Sequence, residues 1–319
     1  GASARPAGRA DRRLFGPALI IAMLARAAVV PVARSLSDYG LYVLNLALVN
    51  ILLAAGLNVV IGVTRQFALF SGALFGVGAY GLAICQIRYG ISFPVGVLVA
   101  VAAATAIAGL ASLLAWRAGG LYLAMITFGF GEIFQFGLVH ADWLTKGPDG
   151  LTVARPVIAG VSFATPAMLF QLIAPVTILA LLALRAVEAG AIGRRLTAAG
   201  DNEAALASIG YDVRWTKTQA FLIQGALSGL AGALFAVVVG FIDPYSFGLD
   251  VTLQQLFAIA VGGLGSHAGA IMGAALLSGP DRVLVDYPGV REVAYGAALL
   301  AVFLFAPRGL AGLLGRRRS

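Results

Sequence analysis

Charge is what this chain has least of. Charged residues fill 11% of its 319 positions, against about a quarter in an ordinary soluble domain. A soluble fold of this length needs polar surface to cover one or two cores. A composition 60% hydrophobic, with a mean hydropathy of +0.94, does not supply it. Cysteine is nearly absent: Cys85 stands alone, so no disulfide can form within the chain. With only His140 and His267, far apart in sequence, there is no Cys/His grouping for a metal. Cys85 lies in an apolar run and reads as a small packing residue. Enzyme signatures are missing too. No G-x-x-x-x-G-K-[ST] stretch occurs, so the chain carries no phosphate loop, and neither H-E-x-x-H nor a nucleophile elbow is found. Gly129-Phe130-Gly131 opens like a dinucleotide loop but lacks the third glycine and sits inside an apolar run. No catalytic residue, cofactor or metal is expected.

What the chain has instead is long, continuous apolar runs. In lipid the backbone must satisfy its own hydrogen bonds, which leaves helices or a closed barrel. The runs do not alternate in the ten-residue pattern of a barrel, so the expected fold is all-α, a polytopic transmembrane helical bundle of about 8–10 spans. Spans are expected near 17–33, 40–62, 66–87, 91–115, 119–139, 163–184, 218–241, in a long run at 252–279, and near 290–306. Arg26 interrupts the first; a cleaved signal peptide over residues 1–30 is the rival reading there, and Arg26 counts against it.

The net charge of +8 is spread as it is around cytoplasmic ends of spans, and not as on a nucleic-acid face. Arg5, Arg9, Arg12 and Arg13 precede the first run, and Arg316, Arg317 and Arg318 follow the last. Arg185, Arg194, Arg195, Arg214 and Lys217 fill the one long polar break. With both termini inside, the segment 185–217 is cytoplasmic, and 34–39, 140–156 and the turn at 242–251 are external. The chain then divides into a basic tail over 1–16, a transmembrane body over 17–312 and a basic tail over 313–319.

An internal C-terminus requires the long run at 252–279 to be interrupted. Gly262, Gly263 and Gly265 break it into pieces too short to cross. They would form a re-entrant pair or two short tilted helices, and irregular backbone in a membrane belongs against protein or a water-lined path. These glycines and Ser266 are therefore candidate pathway elements. Small residues spaced by four recur at Gly72, Gly76 and again at Gly265, Gly269, Gly273. That echo fits either inverted repeats with broken helices or generic close packing. Glu132 is ionisable within a span and so a functional candidate, for gating or structure or for substrate contact. Asn58 and Gln66 are further polar candidates for the path, while most other span amides, such as Asn45 and Gln224, read as glue between helices.

In the segment 185–217, Asp201 or Asn202 can cap a short helix, with Glu203 in its first turn and Gly210 at its end. Its apolar residues Ala204, Leu206, Ala207 and Ile209 exceed what a solvated loop needs. They suit a knob for a partner's groove, although an ordinary connecting loop stays open as the alternative.

Glu203-Ala204-Ala205 followed by Gly210 resembles the EAA motif of ABC-importer permeases, with one residue more before the glycine than usual. Gly56-Leu57-Asn58 with Gly62, Phe75-Gly76-Val77-Gly78-Ala79-Tyr80, Phe128-Gly129-Phe130-Gly131-Glu132-Ile133, Gly147-Pro148-Asp149-Gly150-Leu151, Gly262-Gly263-Leu264-Gly265-Ser266 and Pro307-Arg308-Gly309-Leu310 follow in order. Together they resemble Liv-type branched-chain amino-acid permeases, the M-type subunit in particular, over about residues 40–312. The chain departs from that pattern at Arg65-Gln66-Phe67-Ala68-Leu69-Phe70-Ser71, where the family usually has a glycine before the glutamine and a later histidine. The resemblance implies a multi-pass subunit of the bacterial inner membrane. Its partners would be a second, LivH-like permease, two cytoplasmic ATPases and an extracytoplasmic solute-binding protein. Asp201, Asn202, Glu203, Ala204, Ala205 and Gly210 would couple to an ATPase, and the external loop with Gly147, Pro148, Asp149 and Gly150 would receive the binding protein. The substrate would be a branched-chain or related amino acid. The rivals are a proton-coupled secondary transporter, with Glu132 as its proton site, and a passive channel for a small solute.

Overall fold

The computed structural model describes residues 37–158 and 160–277. The spans expected at 17–33 and 290–306, both tails and the match at 307–310 lie outside the described residues. Within them the protein is all-α and polytopic. Helix α1, Asp38–Leu57, runs on into a π-helical turn, Asn58–Val63. Then come α2, Ser71–Tyr89, α3, Phe93–Ala115, and α4, Gly120–His140. The short α5, Asp142–Thr145, is followed by a 3-10 turn, Gly147–Asp149, and by β1, Leu151–Thr152, β2, Val157–Ile158, and β3, Val161–Ser162. Helix α6, Pro166–Ala189, leads into α7, Ala191–Asp201, and α8, Glu203–Ser208. Helix α9, Val213–Val239, is followed by β4, Phe241–Ile242, a 3-10 turn, Pro244–Phe247, and α10, Leu249–Gly262, and α11, His267–Leu277.

Five described helices are long and apolar enough to cross a membrane: Asp38–Val63, Phe93–Ala115, Gly120–His140, Pro166–Ala189 and Val213–Val239. The pair Pro244–Gly262 and His267–Leu276 makes a sixth if its two limbs count as one, and it bends by 119° at its break. The run expected at 252–279 is thus interrupted at its glycines. The span expected at 66–87 begins only at Ser71, because Arg65 adopts φ +53° and residues 65–70 are not helical.

Helix starts follow local chemistry. Asp212 accepts from the backbone N–H of Arg214 and Trp215 at the start of α9, and Thr165 accepts from Met168 at the start of α6. Helices α1, α2 and α9 form the interior, and α3 closes over them with one alanine stripe, Ala100, Ala104, Ala108, Ala111 and Ala115, all buried. The stripe meets Gly225 and Gly229 of α9. Lipid is as apolar as these side chains, so close packing and not the hydrophobic effect holds such a seam together. Phe75, Tyr80, Phe235 and Phe247 cluster with ring centroids 5.0–6.0 Å apart. Phe247 is fully buried there, so the segment expected as a simple external turn at 242–251 dips into the bundle.

At the end where α4 and α9 finish, β4 pairs antiparallel with β1, and Arg155 donates to the carbonyls of Val237 and Val238 at 2.7 and 3.3 Å. That satisfies acceptors which the end of α9 leaves open. Gly232 sits so close to α2 that a Cβ there would strike the Phe75 carbonyl and the Ala79 nitrogen. Replacing Gly232 by Leu is therefore expected to cost about 1–3 kcal/mol through overpacking, read as a lower thermal midpoint of the detergent-purified protein. An unchanged midpoint would mean that α2 and α9 do not touch there.

Candidate functional site

Two interruptions of the helical backbone meet in this fold. One follows the π-helical turn at Val63 and the other follows α10 at Gly262. Asn58, fully buried, accepts from the backbone N–H of Gly265 at 2.9 Å. Gly62 lies beneath the same contact, where a Cβ would collide with Asn58 and with the Gly265 nitrogen. Gly263 and Gly265 have φ of +115° and +78°, values that favour glycine. Ser266 accepts from Gly269 at 3.1 Å and so caps α11. Asn58, Gly262, Gly263, Gly265 and Ser266 are thus one cluster, drawn from two distant parts of the sequence.

Gln66 bonds within its own segment. Its backbone N–H donates to Val60 and its Nε2 to Thr64 Oγ1, each at 2.9 Å, while Thr64 Oγ1 donates to Val60 at 2.8 Å. Gln66 ties off the end of the π-helical turn. Further along, Leu69 N–H donates to Thr127 Oγ1 and Gly72 N–H to Thr252 Oγ1, each at 2.9 Å.

Glu132 is apart from both breaks' meeting point. It lines a shallow cleft with Leu69, Phe70, Gln135, Gly248 and Thr252. Its helix, α4, is peripheral: Leu121, Tyr122, Met125, Ile133 and Phe136 are exposed on it. Glu132 is exposed on the same helix and forms no ion pair among the described residues.

The segment 185–217 forms an arm. Helix α7 begins after a single linking residue, Gly190, beyond the end of α6. At its far end Gly200 fits against the Val63 carbonyl, and Asp201 pairs with Arg65 at 2.9 Å. Both partners are well exposed, so that pair adds little stability. Asn202 is the cap of α8, accepting from Ala205 at 3.0 Å, and Asp201 instead closes α7. Glu203 pairs with Lys217 at 2.7 Å. Gly210 takes φ +88° beyond the helix. Leu206 anchors α8 inward, while Ala204, Ala205 and Ala207 are exposed, with Ile209, Tyr211 and Trp215 exposed beside them.

The loop with Gly147, Pro148, Asp149 and Gly150 lies at the other end of the bundle. Gly147 and Gly150 have φ of +52° and +66°, and a Cβ on either would collide with backbone. Thr145 Oγ1 bonds the loop to the Leu138 and Ala141 carbonyls at 2.7 and 2.9 Å. Pro148 and Asp149 form its exposed tip.

Sequence reasoning anticipated none of the three ion pairs among the described residues, and in one of them neither partner was a candidate. Glu188, in the last turn of α6, meets His267 at 2.6 Å from Oε1 to Nε2. Each stands at the rim of an apolar run, which is the only local sign, and their sequence separation hid the partnership.

The sequence profile of the family described as "Branched-chain amino acid transport system / permease component" matches residues 39–307. The chain is 29% identical to the high-affinity branched-chain amino acid transport system permease protein LivM of Escherichia coli K12, over 94% of this chain and 75% of that one. It is 29% identical to LivM of Salmonella typhimurium LT2, over 83% and 68% of the two chains. It is 30% identical to the autoinducer 2 import system permease protein LsrC of Enterobacter sp. 638, over 74% and 68%. No solved structure matches this chain.

Replacing Asn202 by Ala removes the α8 cap and is expected to cost about 1 kcal/mol. Amide exchange over 203–208 should then quicken roughly fivefold, with exchange in α1 and α9 unchanged.

Proposed function

The chain belongs to the family of branched-chain amino acid transport system permease components, and from that membership we propose that it is one of two permease subunits of an ATP-driven importer for branched-chain or related amino acids. As a Liv-type ABC permease it is a multi-pass inner-membrane transport subunit. The observation that carries the finer reading is the arm. A membrane protein whose interior is closely packed leaves Ile209, Tyr211 and Trp215 exposed around a capped, six-residue helix, α8. Such a group offers an apolar, partly basic knob to a partner's groove.

In this reading both termini and the arm 185–217 are cytoplasmic, and two ATPase subunits bind α8 and its flanks through Asp201, Asn202, Glu203, Ala204, Ala205 and Gly210. The tail–body–tail division of the chain, with the body over 17–312, goes with that orientation. The tip at Pro148 and Asp149 faces outward and helps receive a solute-binding protein. A second, LivH-like permease lies against the α4 face, where Glu132 borders the path. The arm favours this mechanism over a proton-coupled transporter with Glu132 as its proton site, because a transporter driven by its own gradient has no use for an exposed cytoplasmic knob.

The test is Ile209→Asp in the assembled complex. ATP-driven uptake is expected to fall at least about tenfold, in line with loss of an interface hot spot, and the ATPase should no longer co-purify. Insertion in the membrane should be unchanged. Concentrative uptake by the permeases alone in vesicles, without ATPase, would overturn the importer reading.

A further inference from the structure

The glycine break has no side chains of its own with which to hold a position. Gly262, Gly263 and Gly265 offer only backbone, and Leu264 is exposed. Its place is set by what grips it on either side. On one side Asn58, buried in α1's π-helical extension, accepts from Gly265. On the other, His267 follows the break and pairs with Glu188 at 2.6 Å. The two grips differ in what they are fixed to. Asn58 belongs to a buried interior helix. Glu188 sits one residue before the end of α6, and the arm folds straight back over it: a Cβ on Gly193 of α7 would collide with the Glu188 backbone. Glu188 thus stands at the root of the arm.

We propose that Glu188 and His267 are a positioning pair that passes movement of the arm to the glycine break, which acts as the gate at that end of the bundle. The proposal rests on the importer reading. Side-chain exposures of 16% for Glu188 and 33% for His267 keep the pair mostly out of water, where a contact between carboxylate and imidazole is screened less than at an open surface. Such a pair adds little net stability over apolar packing, and its best-attested use is to fix one arrangement among several. An open groove of about 530 Å³ adjoins the pair, lined by Ile178, Leu181, Arg185 and Ile271 among others. The far end of α7 closes a second contact with the same region, Gly200 on Val63, so the arm spans both sides of the gate.

The experiment uses the complete transporter in vesicles, with both permeases, the ATPases and the loaded binding protein. The readout is solute imported per ATP hydrolysed. His267→Ala and Glu188→Ala are each expected to lower that ratio at least about fivefold, the lower end of coupling between distant sites. His267→Gln keeps a donor for Glu188 and should recover most of it. A merely structural loss would lower transport and hydrolysis together and leave the ratio alone. A second measurement leaves the pair intact: Leu264→Cys is labelled from inside with a maleimide, against a low background because Cys85 is buried. Its labelling rate should differ between nucleotide-free and vanadate-trapped complexes, and His267→Ala should erase the difference. An unchanged ratio in both alanine variants, or a labelling rate indifferent to nucleotide, overturns the pair's role while leaving the importer reading standing. Accumulation of solute by the native complex without nucleotide overturns the importer reading and the pair with it.

Discussion

A backbone N–H inside a membrane has no water to fall back on, and everything irregular in this protein is arranged around that fact. Where α1 gives way to α2 and where α10 gives way to α11, the helical ladder stops and donors come free. Four of them are met by side chains. Thr127 takes Leu69, Thr252 takes Gly72, Asn58 takes Gly265, and Ser266 takes Gly269. The acceptors are short and polar, sit on neighbouring helices or at the break itself, and are all compact enough to enter a close-packed seam. The two breaks are therefore supported features that can persist in the fold, and they meet at Asn58.

Small residues make this arrangement possible. Gly62 leaves space for Asn58 to reach Gly265, Gly72 admits the Gly248 carbonyl, and Gly262 and Gly269 let α10 and α11 touch backbone to backbone. The alanine stripe of α3 against Gly225 and Gly229 does the same for the interior. Close approach supplies the dispersion that association in lipid requires.

The helices, the glycine break and the capped helix before Gly210 were legible because each has a local cause. Apolar runs, helix caps and left-handed glycines act within a few residues. What was not legible depends on partners far along the chain. Gln66 reads as a path residue because amides in spans often are, and its bonds to Val60 and Thr64 had no sign in the sequence. Phe247 looked like part of a turn because Asp243, Pro244 and Gly248 surround it, and only the aromatic cluster from α2 and α9 explains its burial. Glu188 and His267 carried no joint sign at all, since a pair formed across 79 positions is a product of the fold. The late start of α2 at Ser71 comes from Arg65, whose positive φ interrupts the helix without any proline or glycine to announce it.

Helix α4 supports the view that this subunit does not work alone. Its outward face joins Leu121, Tyr122, Met125, Ile133 and Phe136 to a carboxylate, Glu132. A purely lipid-facing surface has no place for that carboxylate, because ionisable groups within spans turn toward protein or water. Gly129 and Gly137, with no neighbour within reach of a Cβ among the described residues, would only weaken a helix that packed against lipid, whereas they would admit the backbone of another helix. One face thus combines apolar area, room for close approach and a single charge. That combination suits a surface that meets protein and not lipid alone.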